Sequence, residues 1–159
     1  MKYELKDTWN VWYHSKKNSS WNNQSYKNII AIENLYDLKY LNDIINLDYL
    51  KNGMFFIMRN DIFPTWEHPD NRKGCCISYK IYDNLVINKW NYIVNHIVND
   101  KIDVSNNEIN GVSISPKKSY SILKIWFKHN IKSSNLNKCI MIDDPIFDNT
   151  KALVKKNMK

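Results

Sequence analysis

The sequence predicts an α+β domain in which an antiparallel sheet carries helices on one face and leaves the other partly open. Two observations lead there: short segments with two-residue apolar alternation are separated by short polar turns, and two segments among them carry helical periodicity instead. The first strand is WNVWYH, with Trp9, Val11 and Tyr13 on one side and Trp12 and His14 on the other. Lys16 to Gln24 reads as a polar loop in which Trp21 has no apolar neighbour, so it cannot join a core by simple periodicity. NIIAIE is strand-like. Asn34 can cap a helix running through Leu35, Leu38, Leu41 and Ile45, with Asp37 in its first turn. Gly53 opens the strand MFFIMR.

DIFPTWEHPDNRKG, with two prolines and a glycine, reads as a long loop that feeds the strand CCISYKI. A second helix starts near Asp83 and puts Val86, Trp90, Ile93, Val94, Ile97 and Val98 on one face, which should pack on the sheet. GVSIS and SILKIWFK are strands flanking the turn SPKKSY, and KCIMI is a last short strand. No repeat, linker or boundary divides the chain, so residues 1–159 form one domain.

Composition narrows the function. Of the residues 43% are hydrophobic and 13% aromatic, enough for a packed core, and the formal charge of +7 favours polyanionic partners. No stretch has the length of a membrane span, and MKYELKDTWN lacks the apolar core of a signal peptide. Cys75, Cys76 and Cys139 make a poor disulfide framework and lack tetrahedral metal spacing, so they read as structural thiols of a reducing compartment. The protein is expected in the cytoplasm, as a soluble monomer without metal or other cofactor.

The most informative feature is Trp66-Glu67, together with the isolated Trp21. Two indoles can hold a planar cationic base by stacking and cation–π attraction, while the adjacent carboxylate accepts the hydrogen bonds that identify it. A 7-methylguanosine mRNA cap suits that combination. Taken singly these residues have plainer readings: a tryptophan in an alternating strand is by default core, and a glutamate after a tryptophan is by default a loop charge.

The opening LKDTWNVWYH, the loop tryptophan Trp21, the block GMFFIMRNDIFPTWE, the helical KWNYIV with Trp90 and the strand LKIWFK with Trp126 together resemble the cap-binding family of eukaryotic translation initiation factor 4E. The resemblance runs over roughly residues 5–128 and places all six tryptophans on family positions. It implies a curved sheet with helices on its convex side and a cap slot on its concave side. Trp21 and Trp66 match the stacking pair. Glu67 matches the carboxylate that takes the Watson–Crick edge of guanine, and Trp126 the indole beside the 7-methyl group. For the triphosphate, Lys117 keeps one family position whereas Ser119 and Ile122 occupy two others; Arg72, Lys118 and Lys151 are the further basic candidates. A solvated turn is the competing reading for Pro116-Lys117-Lys118.

Capped mRNA is therefore the expected partner, alongside a scaffold of the initiation factor 4G type or a dedicated equivalent. Where the family's partner-binding surface has a His-Pro pair and a tryptophan, this chain has Tyr3-Glu4 and Lys39, which keeps open a cap-binding repressor or decoy. Cys76 also stands where the family has a core tryptophan. Catalysis is not expected: His14, His68, His96 and His129 are scattered, and Asp143-Asp144 has no acidic company. The richness in Asn, Ile and Lys points to an AT-rich genome, as in a virus or a protist.

Overall fold

Seven antiparallel strands form the main sheet of the computed structural model, which describes residues 3–158. The strands are β1 (Glu4–Ser15), β2 (Lys27–Asn34), β3 (Gly53–Arg59), β4 (Cys75–Tyr82), β6 (Ile109–Pro116), β7 (Tyr120–Phe127) and β9 (Leu153–Lys156), in the order β2-β1-β3-β6-β7-β4-β9. A separate two-stranded ribbon pairs β5 (Asp103–Val104) with β8 (Ile140–Met141). The helices are α1 (Leu35–Ile44), α2 (Leu47–Asn52), α3 (Val86–Val98) and the single turn α4 (Leu136–Cys139).

Alternation along the strands divides the sheet into two faces. Trp9 and Val11 of β1, Phe55 and Ile57 of β3, Cys75, Ile77, Tyr79 and Ile81 of β4, and Leu123, Ile125 and Phe127 of β7 all enter the large core beneath the helices. The intervening residues Phe56, Met58, Cys76 and Trp126 form a second, smaller cluster on the opposite face, with Trp12 and Met54 packed against it. That second face is concave and carries no helix.

The two expected long helices are present. Asn34 caps α1 by accepting the Asp37 backbone N–H at 2.9 Å, and all six apolar residues expected on the sheet-facing side of α3 are buried. Helix α3 starts at Val86 rather than near Asp83, because the Asp83 carboxylate accepts from Lys51 Nζ (2.8 Å) instead of capping the helix. The expected strand KCIMI shrinks to Ile140–Met141, and Lys138 and Cys139 belong to α4. Leu136 and Ile140, four residues apart, are both buried, which is the spacing of a helical turn. Helix α2, capped by Asn46, and strand β9 are additional to the sequence reading.

One buried cation ties the end of β3 to its surroundings. Arg59 lies 4.4 Å over the Trp9 ring, donates from Nε to the Ile109 carbonyl (2.9 Å), and is paired with Asp7 and Asp100. Burial opposes ionisation of Asp7, but hydrogen bonds from Asn60 and Arg59 and the Arg59 charge outweigh it and hold the carboxyl below its ordinary value. A carboxyl with a depressed folded pKa binds protons more readily in the unfolded chain. Its stabilisation is therefore complete above the ordinary value and is lost as pH falls through the folded one. Denaturant unfolding from about pH 6 to about pH 2 should show Asp7→Asn losing less stability than the parent chain over that window. Parallel curves would exclude Asp7 as a source of the acid sensitivity.

Candidate functional site

A cleft of about 880 Å³ opens on the concave face, lined by Trp21, Trp66, Glu67 and Trp126 together with Tyr26, Phe56, Cys76, Ser78, Lys124, Lys155 and Lys156. Four residues nominated from sequence positions as distant as 21 and 126 thus share one cavity.

Trp21 and Trp66 are 59% and 49% exposed, so their ring surfaces are free for a ligand, whereas Trp126 is 7% exposed and forms part of the floor. The Trp126 indole N–H donates to Ser113 Oγ at 3.0 Å, and its ring meets Phe56 edge-on at 6.4 Å between centroids. Trp21 lies flat on the His14 imidazole, 3.6 Å away and 6° from parallel. His14 is itself buried, with Nδ1 3.1 Å from the Ser15 carbonyl and Nε2 2.7 Å from the Ser20 carbonyl. One face of Trp21 is therefore backed by a fixed ring. Tyr26 joins this wall to the floor, edge-on to His14 at 5.3 Å and tilted against Phe56 at 5.5 Å. Burial raises the pKa of the Tyr26 phenol, and the charge of Glu67, which lines the same cleft, raises it further.

The loop between β3 and β4 presents Trp66 and Glu67, and one buried amide organises it. Asn71 has no exposed surface; its Nδ2 donates to the Phe63 (3.2 Å) and Thr65 (2.9 Å) carbonyls, and its Oδ1 accepts from Asn110 Nδ2 (2.9 Å). The Asn71 carbonyl accepts from Asn157 Nδ2 (2.7 Å), linking the loop to the segment after β9. Gly74 ends the loop where the chain runs against β7: an added Cβ would come within 1.8 Å of the Phe127 carbonyl oxygen.

The basic residues of the cleft are not the four expected from sequence. Arg72, Lys117, Lys118 and Lys151 do not line it. Arg72 lies in the exposed turn after Asp70, with its backbone N–H bonded to His68; Lys117 and Lys118 sit in the β6–β7 turn, and Lys151 ends a 3₁₀ turn before β9. The β6–β7 turn is beyond Tyr120, which is six residue steps along the strand from Trp126, about 20 Å. Lys124, Lys155 and Lys156 line the cleft instead. Lys124 was accessible from sequence, since it lies two residues before Trp126 and must share its face. Lys155 reaches the site through pairing with Cys76 across β9 and β4, which no local pattern announces. Cys76 is buried within this cluster, and desolvation pushes its thiol up to about 12 despite the pull of Lys124 and Lys155. It fills space on the cleft floor as an uncharged thiol. Among the described residues no group of three or more His, Cys, Asp or Glu could hold a metal ion.

The family model for eukaryotic initiation factor 4E matches residues 4–150. Eukaryotic translation initiation factor 4E of Dictyostelium discoideum is 28% identical over 134 residues, covering 80% of this chain and 53% of its own length. The Eremothecium gossypii factor of the same name is 24% identical over 145 residues, covering 87% and 68%. The chain thus spans about half the length of the Dictyostelium relative. Among solved structures, Ascaris suum initiation factor 4E-3 with the m7G cap superposes with a TM-score of 0.69 at 16% identity, over 84% of this chain and 78% of the other. A schistosome initiation factor 4E complexed with m7GpppG and 4E-BP gives 0.73 at 16% identity, over 85% and 77%. These likenesses show the fold.

Removing the amide of Asn71 strands two loop carbonyls and the Asn110 side chain in the interior. Asn71→Ala should therefore cost about 2 kcal/mol or more in denaturant unfolding. A loss under about 0.5 kcal/mol would mean that the loop holds its shape without this residue.

Proposed function

The chain belongs to the eukaryotic initiation factor 4E family, and on that premise we propose that it binds the 7-methylguanosine cap of mRNA and acts in translation initiation. Its family is one of binding factors, so no catalytic role is assigned. The observation that carries the reading is the convergence of Trp21, Trp66, Glu67 and Trp126 on one cleft.

In this reading Trp21 and Trp66 close on the two faces of the base. Methylation at the 7 position gives guanine a delocalised positive charge, so stacking on indole gains an electrostatic term that ordinary guanine lacks. Glu67 accepts the ring and amino protons of the Watson–Crick edge, a pattern adenine cannot supply, and a wrong base leaves the carboxylate desolvated and unpaired. Trp126 meets the 7-methyl group. The phosphates fall to Lys124 and Lys155 in place of the family's set; Lys156 pairs with Cys75 and so shares the helix-side face. Binding occurs in the cytoplasm, with the protein as a monomer.

Titration of tryptophan fluorescence tests this directly. 7-Methyl-GTP should bind at least about tenfold tighter than GTP, and Glu67→Ala should weaken the methylated ligand by about 2–4 kcal/mol. Equal affinity for the two nucleotides would refute the sandwich.

The outer face of α1 favours a second reading for the partner. Lys39, where the resemblance leads one to expect a tryptophan, is exposed and engaged with Asp43 at 2.7 Å. A scaffold peptide that needs an indole there meets a charged pair, so the chain serves either a dedicated scaffold or a decoy role. Calorimetry with a helical 4G-type peptide should show weak binding, improved by Lys39→Trp. Nanomolar binding to the parent chain would favour an ordinary initiation factor.

A further inference from the structure

His14 keeps only 1% of its surface exposed, and both of its ring nitrogens face carbonyl oxygens, Nδ1 that of Ser15 at 3.1 Å and Nε2 that of Ser20 at 2.7 Å. A carbonyl can only accept. A neutral imidazole carries one N–H, so it bonds one of these oxygens and turns a lone pair toward the other. The imidazolium carries two N–H groups and bonds both.

The rings around His14 complete a site for that cation. Trp21 covers one face of the imidazole at 3.6 Å, within the range at which an indole attracts a positive charge. Tyr26 meets it edge-on at 5.3 Å, and Met54 of β3 is its paired neighbour across the sheet. Among charged groups on the packed elements, Glu67 stands beyond Tyr26 in the cleft lining, and the exposed Lys16 and Lys17 follow Ser15. No carboxylate pairs with His14 among the described residues, which leaves the two carbonyls and the Trp21 face to hold the charge.

The consequence falls on the other face of Trp21. On the proposed function that face takes a cationic base, so the indole lies between the base and His14, with two stacking distances, about 7 Å, from one to the other. A charge on His14 draws on the same π electrons as the base and repels it across the ring. A neutral imidazole does neither, and an unmethylated guanine, having no charge, is indifferent to both.

We propose that His14 is a specificity-determining residue of the cleft, which as an imidazolium lowers the preference for 7-methylguanine over guanine and as a neutral ring restores it. It acts through Trp21 and does not touch the ligand. The inference rests on cap binding in the cleft, and its test separates the two.

The ratio of the GTP and 7-methyl-GTP dissociation constants is measured by tryptophan fluorescence from about pH 5.5 to about pH 7.5, the range over which histidine titrates. The parent chain is compared with His14→Phe, which keeps a ring behind Trp21 but binds no proton, and with His14→Gln, which keeps a donor for Ser20 without a titratable charge. Titration of the ligands themselves is common to all three chains and cancels. The parent's preference for 7-methyl-GTP, divided by that of either variant, should rise about threefold or more from the acid to the neutral end. Nitrogen NMR of the histidine-labelled parent, with the His14 signals identified by their loss in either variant, should show protons on both ring nitrogens at the acid end. A parent ratio that tracks the variants at every pH overturns the role of His14 alone, as does a ring nitrogen that stays unprotonated throughout. Equal affinity of the parent for the two nucleotides at every pH overturns the cap reading and the role of His14 with it.

Discussion

Strand alternation is the constraint on which everything else depends. Each long strand gives one set of side chains to the core under α1 and α3 and the other set to the open face, so the site is made from residues that the core does not use. A slip of one residue in β7 would exchange Trp126 and Lys124 for Ile125 and Leu123. The buried aliphatic residues of β7 thereby fix the register of the functional ones. Burial on one side does more than stabilise the domain; it determines which chemistry the other side displays.

The alternation places the floor but not the walls. Trp66 and Glu67 lie in a loop with no ladder to hold them, and the Asn71 amide takes over that function by pairing with two loop carbonyls and with Asn110. Trp21 has a different support, a fixed imidazole against one face. One wall is thus held by hydrogen bonds and the other by ring stacking. Both leave a broad indole surface exposed, which is costly in water unless a flat ligand covers it.

Features with a local signature were legible in the sequence. The six-residue buried face of α3 follows from helical spacing, the start of α1 from the capping Asn34, and the two sides of β1 from alternation between Trp9 and Trp12. Trp21, Trp66, Glu67 and Trp126 were nominated through the motif around each, and they line one cleft. The lysines that line that cleft were not announced in the same way. Lys117 and Lys118 are conspicuous as a pair in a turn, yet distance along the strand removes them from the cleft. Lys155 is inconspicuous and enters only because β9 pairs with β4 across nearly eighty residues of chain. His14 is a similar case: its role behind Trp21 depends on how the Lys16–Gln24 loop folds back, which strand periodicity does not encode. Long-range pairing and loop closure are set by the whole core, and short sequence windows do not contain them.

The distribution of charge around the cleft decides what it can discriminate. Lysines alone would take any nucleotide polyphosphate, because a phosphate chain offers them the same charge whatever base it carries. In the proposed function Glu67 counteracts this: a carboxylate lining the same cleft repels a polyanion that enters in the wrong orientation and requires hydrogen-bond donors where the base must lie. The indoles then favour a base that is both flat and cationic. On the proposed cap-binding function, affinity from the lysines and selectivity from Glu67 and the two indoles are separable, and these residues sit on different elements: Lys124 and Lys155 on strands, Trp66 and Glu67 on a loop.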